Sequence, residues 1–306
     1  MRSLKKIIMT VVVVFASSVA FSQQLPQYTQ FFLNKYLLNP GATGTEDYWE
    51  GQLTNRLQWV GITEAPRTHV LSANGPLHND KMGLGGKIFS DVTGPTRRTG
   101  FSFSYGYKIR VSETMKLRMG LSFGGLQYMT DASQITIENP GDVALSAGTQ
   151  SVFVPDAGFG LHLYSEEFYF GVSMPQIIGN KLQFFENYSA TEAALARHLF
   201  AYAGYKFEVV DDIVVEPAVM AKWVQPSPVS IDVNLRVIYR DMAWVGFSYR
   251  MNDAIAVMAG FTVNESFVLA YSYDIPTSDI KTVASGSHEI SVAFRFRKVA
   301  GKNSTD

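Results

Sequence analysis

Five histidines, His69, His78, His162, His198 and His288, are the residues of this chain best suited to proton transfer. A hydrolase working at a lipid surface needs histidine beside serine and an acid or asparagine, all within hydrogen-bond reach. His69 and Ser72 lie three apart, as do His162 and Ser165, so on a strand each pair points to opposite faces. The histidines therefore read as lumen or interface residues, and no enzyme is expected. The acid pairs Glu46-Asp47, Glu166-Glu167 and Asp211-Asp212 have the charge for a metal ion. Each sits in a predicted turn, where carboxylates are solvated or cap the backbone. Gly83-Leu84-Gly85-Gly86 lacks the Lys-Ser/Thr that follows a phosphate loop. In strands such glycines mark bends or close approaches. Cysteine is absent, which removes disulfides, thiolate catalysis, cysteine metal sites and lipobox acylation together. No cofactor is expected either.

The elements carrying these residues share one rhythm. From Trp49 almost to the C-terminus, about 14 stretches alternate apolar and polar residues, each roughly ten long. In Met115–Gly124, Met115, Leu117, Met119, Leu121 and Phe123 take one face, and Lys116, Arg118 and Ser122 the other. A tilted strand of about ten residues crosses a bilayer. In the tenth stretch Ser230, Asp232, Asn234, Arg236 and Arg240 oppose Val229, Ile231, Val233, Leu235, Val237 and Tyr239. A charge facing lipid near mid-bilayer costs about 2–4 kcal/mol, so the polar face turns inward. The expected fold is an all-β transmembrane antiparallel barrel of about 14 strands with a polar, ion-paired interior.

Arg2, Lys5 and Lys6 precede an apolar run, Ile7–Phe15, and Ala20-Phe21-Ser22 offers small residues for a signal peptidase. Residues 1–22 are thus expected to be a signal peptide, with maturation near Gln23. Its removal leaves 23 basic residues against 27 acidic ones, which argues against a nucleic-acid partner. Charged residues make up 17% of the chain and aromatics 13%. A soluble domain carries about 25% charged residues, whereas a lipid-facing wall with aromatic girdles needs fewer. Residues 23–47 do not alternate. Gln27–Leu38 has apolar positions near helical spacing and is stopped by Asn39-Pro40-Gly41. This segment is expected in or under the barrel, which spans residues 48–297 and is followed by a polar tail, 298–306.

The connections test the barrel independently. Those after even-numbered stretches are tight and polar, such as Ser165–Glu167 and Val210–Asp212. The three long ones, Gln127–Val152, Gln176–Leu195 and Pro276–Gly286, all follow odd-numbered stretches. Transmembrane barrels keep short turns on the periplasmic side and long loops outside. The long connections are therefore expected at the cell surface, and both termini inside.

Gln27-Tyr28-Thr29-Gln30-Phe31 and Leu38-Asn39-Pro40-Gly41-Ala42-Thr43-Gly44 resemble the opening motif of the PorP/SprF family of outer-membrane proteins of the type IX secretion system of Bacteroidota. Trp59-Val60-Gly61, Glu64-Ala65-Pro66-Arg67-Thr68 and Leu71–Leu77, which holds Gly75 and Pro76, resemble its first hairpin. Lys81–Gly86 and Asp91-Val92-Thr93-Gly94-Pro95 continue the match, and Tyr273-Asp274 with Gly286-Ser287-His288-Glu289-Ile290 resembles the closing strand. One departure is the tail: many barrels end on an aromatic residue, but here Phe296 is followed by Arg297–Asp306.

The resemblance implies an outer-membrane barrel that anchors, or helps export and retain, a large secreted adhesin, in some members for gliding motility. Implied partners are the C-terminal region of a type IX-exported surface protein, periplasmic anchoring or secretion-system proteins, and outer-membrane lipid. It brings no catalytic residue and no cofactor. Asn39, Pro40, Gly41, Trp59, Gly61, Pro66, Gly75, Pro76, Gly94, Pro95, His288 and Glu289 are the candidate contact or structural positions. A FadL-like channel for a small or hydrophobic solute is the alternative, since an N-terminal plug with an Asn-Pro turn suits that role too.

Overall fold

The computed structural model describes residues 25–77, 80–131, 133, 148–182, 193–225 and 227–296. Fourteen antiparallel strands form one sheet in which each strand pairs with its neighbours in sequence. The first eight are β1 (Trp49–Val60), β2 (Arg67–Pro76), β3 (Met82–Thr93), β4 (Thr96–Arg110), β5 (Lys116–Asp131), β6 (Thr149–Tyr164), β7 (Phe168–Met174) and β8. The eighth is interrupted at Lys206, its two parts being His198–Tyr205 and Phe207–Val210. Then follow β9 (Ile213–Val224), β10 (Ser230–Tyr239), β11 (Ala243–Arg250), β12 (Ala254–Val263), β13 (Phe267–Pro276) and β14 (Gly286–Phe296). β14 pairs with β1, from Trp49 opposite Phe296 to Val60 opposite Gly286, and closes the barrel. Closure leaves no sheet edge to be satisfied in lipid.

The alternation read from the sequence is what makes this wall. On β4, Ser102 and Ser104 are buried inward while Phe101, Phe103 and Tyr105 are exposed, Phe103 to 68%. On β10, Asp232 and Asn234 are buried and Val233, Leu235 and Val237 face out. Arg240 departs from the expectation. β10 stops at Tyr239, Arg240 and Asp241 form a tight turn with φ of 52° and 53°, and Arg240 pairs with Asp212 outside the lumen.

The three long connections fall at one end of the barrel, where Gly94-Pro95 and residues 251–253 are also tight turns, and every connection at the other end is short. β5 runs to Asp131 and β6 starts at Thr149, so the first long loop is shorter than the expected Gln127–Val152, and residues 134–147 of it lie outside the described residues. The second carries a two-residue ladder, Lys181–Leu182 with Ala193–Ala194. The third holds a 3₁₀ turn, Asp279–Thr282. The expected signal peptide and polar tail lie outside the described residues.

The N-terminal segment is not an α-helix. Among its described residues it holds two 3₁₀ turns, Lys35–Leu37 and Pro40–Ala42, within an otherwise irregular path. Its aromatics build the core: Phe31, Phe32 and Leu38 pack with Tyr169, Phe200, Tyr202, Met220 and Trp244 inside the barrel. A helix would satisfy its own backbone; here side chains of the wall take that role.

Candidate functional site: a threaded lumen

Residues 25–48 run down the barrel interior from the long-loop end to the short-turn end. Leu25 N donates to Nε2 of His198, the first residue of β8, at 3.2 Å. That fixes the tautomer, with Nδ1–H toward Ala196 O at 2.9 Å. Near the exit, Gly44 N donates to Asn74 Oδ1 at 3.0 Å, and Trp49 Nε1 to Pro76 O at 3.0 Å. Hydrogen bonds reach the strands between. Asn34 Nδ2 donates to Ser72 on β2, Lys87 of β3 to Leu37 O, and Tyr36 OH to Ser104 on β4. Arg118 of β5 donates to Thr43 O and Ser173 of β7 to Leu38 O.

Two further attachments are buried. The first is a buried ion cluster around Thr29. Arg56 of β1 contacts Asp274 of β13 at 2.7 Å and Glu289 of β14 at 3.1 Å. Arg250 of β11 contacts Asp232 at 3.2 Å, Asp253 at 3.1 Å and Asp274 at 3.3 Å. The segment docks onto these charges. Thr29 N and Gln30 N donate to the two oxygens of Glu289 at 2.9 and 3.0 Å, and the Thr29 hydroxyl donates to Asp274 while accepting from Arg56. Buried ion pairs are held together best when remaining donors and acceptors are met; Thr29 meets part of that demand, while Arg56 Nε and Asp232 Oδ1 stay buried without a hydrogen-bond partner. The second is Asn39, fully buried. Its Nδ2 donates to Leu161 O at 2.8 Å and Tyr202 OH at 3.1 Å, and its Oδ1 accepts Gly41 N at 2.7 Å. The Asn-Pro-Gly turn fits because glycines line its berth. A Cβ at Gly160 would sit 1.8 Å from Asn39 Oδ1, and one at Gly120 2.0 Å from Pro40 O.

Lys35 lies 4.2 Å from the Tyr169 ring centroid. Beneath it, a cavity of about 610 Å³ at the short-turn end is lined by Glu46, Glu50, Lys206, Arg236, Glu265 and Arg295 among others. A smaller chamber of about 80 Å³ lies between the segment and β3–β6, with Lys87 and Asp156 on its wall. It has room for a few waters.

The candidate residues from the sequence separate into groups. Asn39, Pro40 and Gly41 belong to the threaded segment, and Glu289 binds it from the wall. Gly75 and Pro76 form its exit, where a Cβ on Gly75 would strike the Trp49 ring at 2.4 Å. Trp59, Gly61, Pro66, Gly94 and Pro95 lie at the opposite end. There Trp59 forms a bulge with φ of 51° and its N donates to Ser287 Oγ. Gly94 N donates to Glu64 O, Pro66 O accepts from Gln58 N, and Pro95 O from Asp131 N, stitching the first two long-end connections to the wall. Gly61, with φ of 104°, turns the first of them. His288 faces outward against Tyr271 OH at 2.6 Å and touches none of the lumen. Sequence reasoning missed Thr29, Arg56, Asp232, Arg250 and Tyr202 as partners. The signal was present, because each charge stands at an inward position of an alternating strand.

A closed antiparallel barrel with a lipid-facing apolar wall and its own N-terminal segment threaded through the lumen is an outer-membrane β-barrel protein. Residues 20–294 match the family model described as type IX secretion system membrane protein PorP/SprF. The chain belongs to that family, and its place in the outer membrane and among the components of type IX secretion follows from it. Among curated protein sequences none matches. A solved structure shares the fold. The CymD monoaromatic hydrocarbon channel superposes with a TM-score of 0.52 at 14% identity, over 86% of this chain and 92% of that one. The Pseudomonas putida toluene transporter TodX gives 0.49 at 11% identity, over 90% and 95%. A Pseudomonas aeruginosa FadL homologue gives 0.49 at 10%, over 85% and 93%.

Proposed function

We propose that this barrel anchors a large exported surface protein, an adhesin, at the outer membrane, or helps export and retain it. It acts through contacts made at its long loops and with periplasmic partners, and it has no catalytic role. The observation that supports this reading is the threaded segment. A transporter must let its lumen open, whereas here residues 25–48 are tied to the wall by buried ions and by Asn39. A barrel whose lumen is occupied by a segment tied to its wall is a sound holdfast for a client bound outside the wall. Deletion of the gene tests it, with quantification of surface and medium proteins and conductance of the reconstituted barrel. Release of one or a few large exported proteins, with low conductance, is expected. Stable high conductance with an unchanged surface proteome would instead favour the channel for a small or hydrophobic solute.

A further inference from the structure

Nine arginines stand in the barrel strands, and seven are tied to protein. Arg56 and Arg250 belong to the Thr29 cluster, Arg98 pairs with Asp91, Arg236 with Glu216 and Arg295 with Glu50. Arg110 donates to turn carbonyls and Arg118 to Thr43 O. The other two, Arg67 and Arg97, are exposed and have neither ion pair nor hydrogen-bond partner among the described residues. They stand in one row of the outer face, because Arg67 on β2 is opposite Val92 on β3, which is opposite Arg97 on β4. Two strand spacings separate them by about 10 Å, the span across which two guanidinium groups can converge on one phosphate. Glu64 of the preceding loop pairs with neither among the described residues.

The level of this row on the wall decides its meaning. Arg67 lies nine residues above Pro76, where β2 meets the short-turn end. At a rise of ~3.3 Å per residue and a tilt near 40°, that is about 23 Å. The apolar band of a transmembrane barrel is about 25 Å tall, so the two arginines sit at its outer rim. The next row inward in the register is polar, with Asn55, His69, Ser90, Thr99 and Gln127 side by side across β1–β5. Below it come Leu71, Ile88 and Phe101, exposed to 50%, 56% and 43%. The wall thus presents two unpaired cations, then hydroxyl and amide groups, then a bed for acyl chains.

We infer that the outer face of β2–β4 binds a phosphorylated glycolipid of the outer leaflet, Arg67 and Arg97 holding its phosphate, the polar row its sugar, and the apolar bed its acyl chains. Guanidinium suits phosphate because its planar fork makes paired, charge-assisted hydrogen bonds.

Purified full-length barrel in uncharged detergent is titrated with bis-phosphorylated lipid A and with its dephosphorylated form, binding being counted by native mass spectrometry. Wild type should prefer the phosphorylated lipid, and Arg67→Gln/Arg97→Gln should bind it about 30-fold more weakly. Retention of heat-modifiable migration reports that the variant barrel is folded. Equal binding of the two lipids by wild type overturns the site, as does equal binding of the phosphorylated lipid by wild type and a folded variant. Displacement of bound lipid by millimolar inorganic phosphate would mean that the arginines take free phosphate, and would overturn the lipid assignment. If the double variant does not fold, the wild-type preference between the two lipids decides alone.

Discussion

Glu289→Ala should loosen the threaded segment from the barrel without unmaking the barrel. The carboxylate is 1% exposed and accepts Thr29 N at 2.9 Å, Gln30 N at 3.0 Å and Arg56 Nη1 at 3.1 Å. Truncation strands two backbone donors, each at about 1–3 kcal/mol, and removes one partner of a buried pair, at about 3–5 kcal/mol. These terms overlap, and Arg56 keeps Asp274, so about 3–5 kcal/mol is the expected loss in docking of the segment. At 1.4 kcal/mol per factor of ten, the released population rises roughly 150- to 5,000-fold. The chain has no cysteine, so Leu38→Cys provides a single thiol on the segment, at a position only 7% exposed. Where opening is fast relative to labelling, the rate follows the open population. Maleimide labelling of the double variant should therefore accelerate by at least two orders of magnitude over Leu38→Cys alone, with the heat shift on gels unchanged. Equal labelling rates in a folded barrel would refute the argument that Glu289 docks the segment.

Gly160→Ala should act on the other attachment, since its Cβ would fall 1.8 Å from Asn39 Oδ1. Overpacking of this kind costs about 1–3 kcal/mol, and the same thiol should label at least several-fold faster. Gly86→Ala, 3.7 Å from the Phe103 ring, should leave it unchanged. Orientation is checked by epitopes: one inserted at Gly148 should be reached by antibody on intact cells and one in the Ser165–Glu167 turn should not, and the reverse result would invert the topology.

Strand number and inward faces were legible because both depend on local alternation, which a barrel imposes on every strand. Ser102 and Ser104 facing in between Phe101, Phe103 and Tyr105 needed only period two. The path of residues 25–48 was not legible in the same way. Its apolar spacing suggested a helix, but Thr29 N and Gln30 N find their acceptors on Glu289, some 260 positions away. A segment whose backbone bonds to wall side chains carries no local period. Arg240 shows the converse limit: its parity placed it in the lumen, and the two-residue turn carried it out. The motif residues Asn39-Pro40-Gly41 could be singled out from sequence. That their fit depends on Gly120 and Gly160 required the register of β5 with β6, which places these two glycines opposite each other.

The direction of the threaded segment constrains how the barrel is built. Residue 25 bonds to β8 at the long-loop end, and the chain then descends to begin β1 at the short-turn end. On the way Thr29 and Gln30 bind Glu289 of β14, and Arg56 of β1 binds Asp274 and Glu289 of β13 and β14. The same ion cluster thus holds the segment and spans the β1–β14 seam. Pairing β1 with β14 joins regions more than two hundred residues apart, a closure whose entropic cost falls on the last step of assembly. Charges from both sides of the seam converge on Thr29, so the segment supplies contacts that the closed seam needs and that a wall closed without it would leave unmet. Seam closure and docking of the segment are therefore coupled through this one cluster.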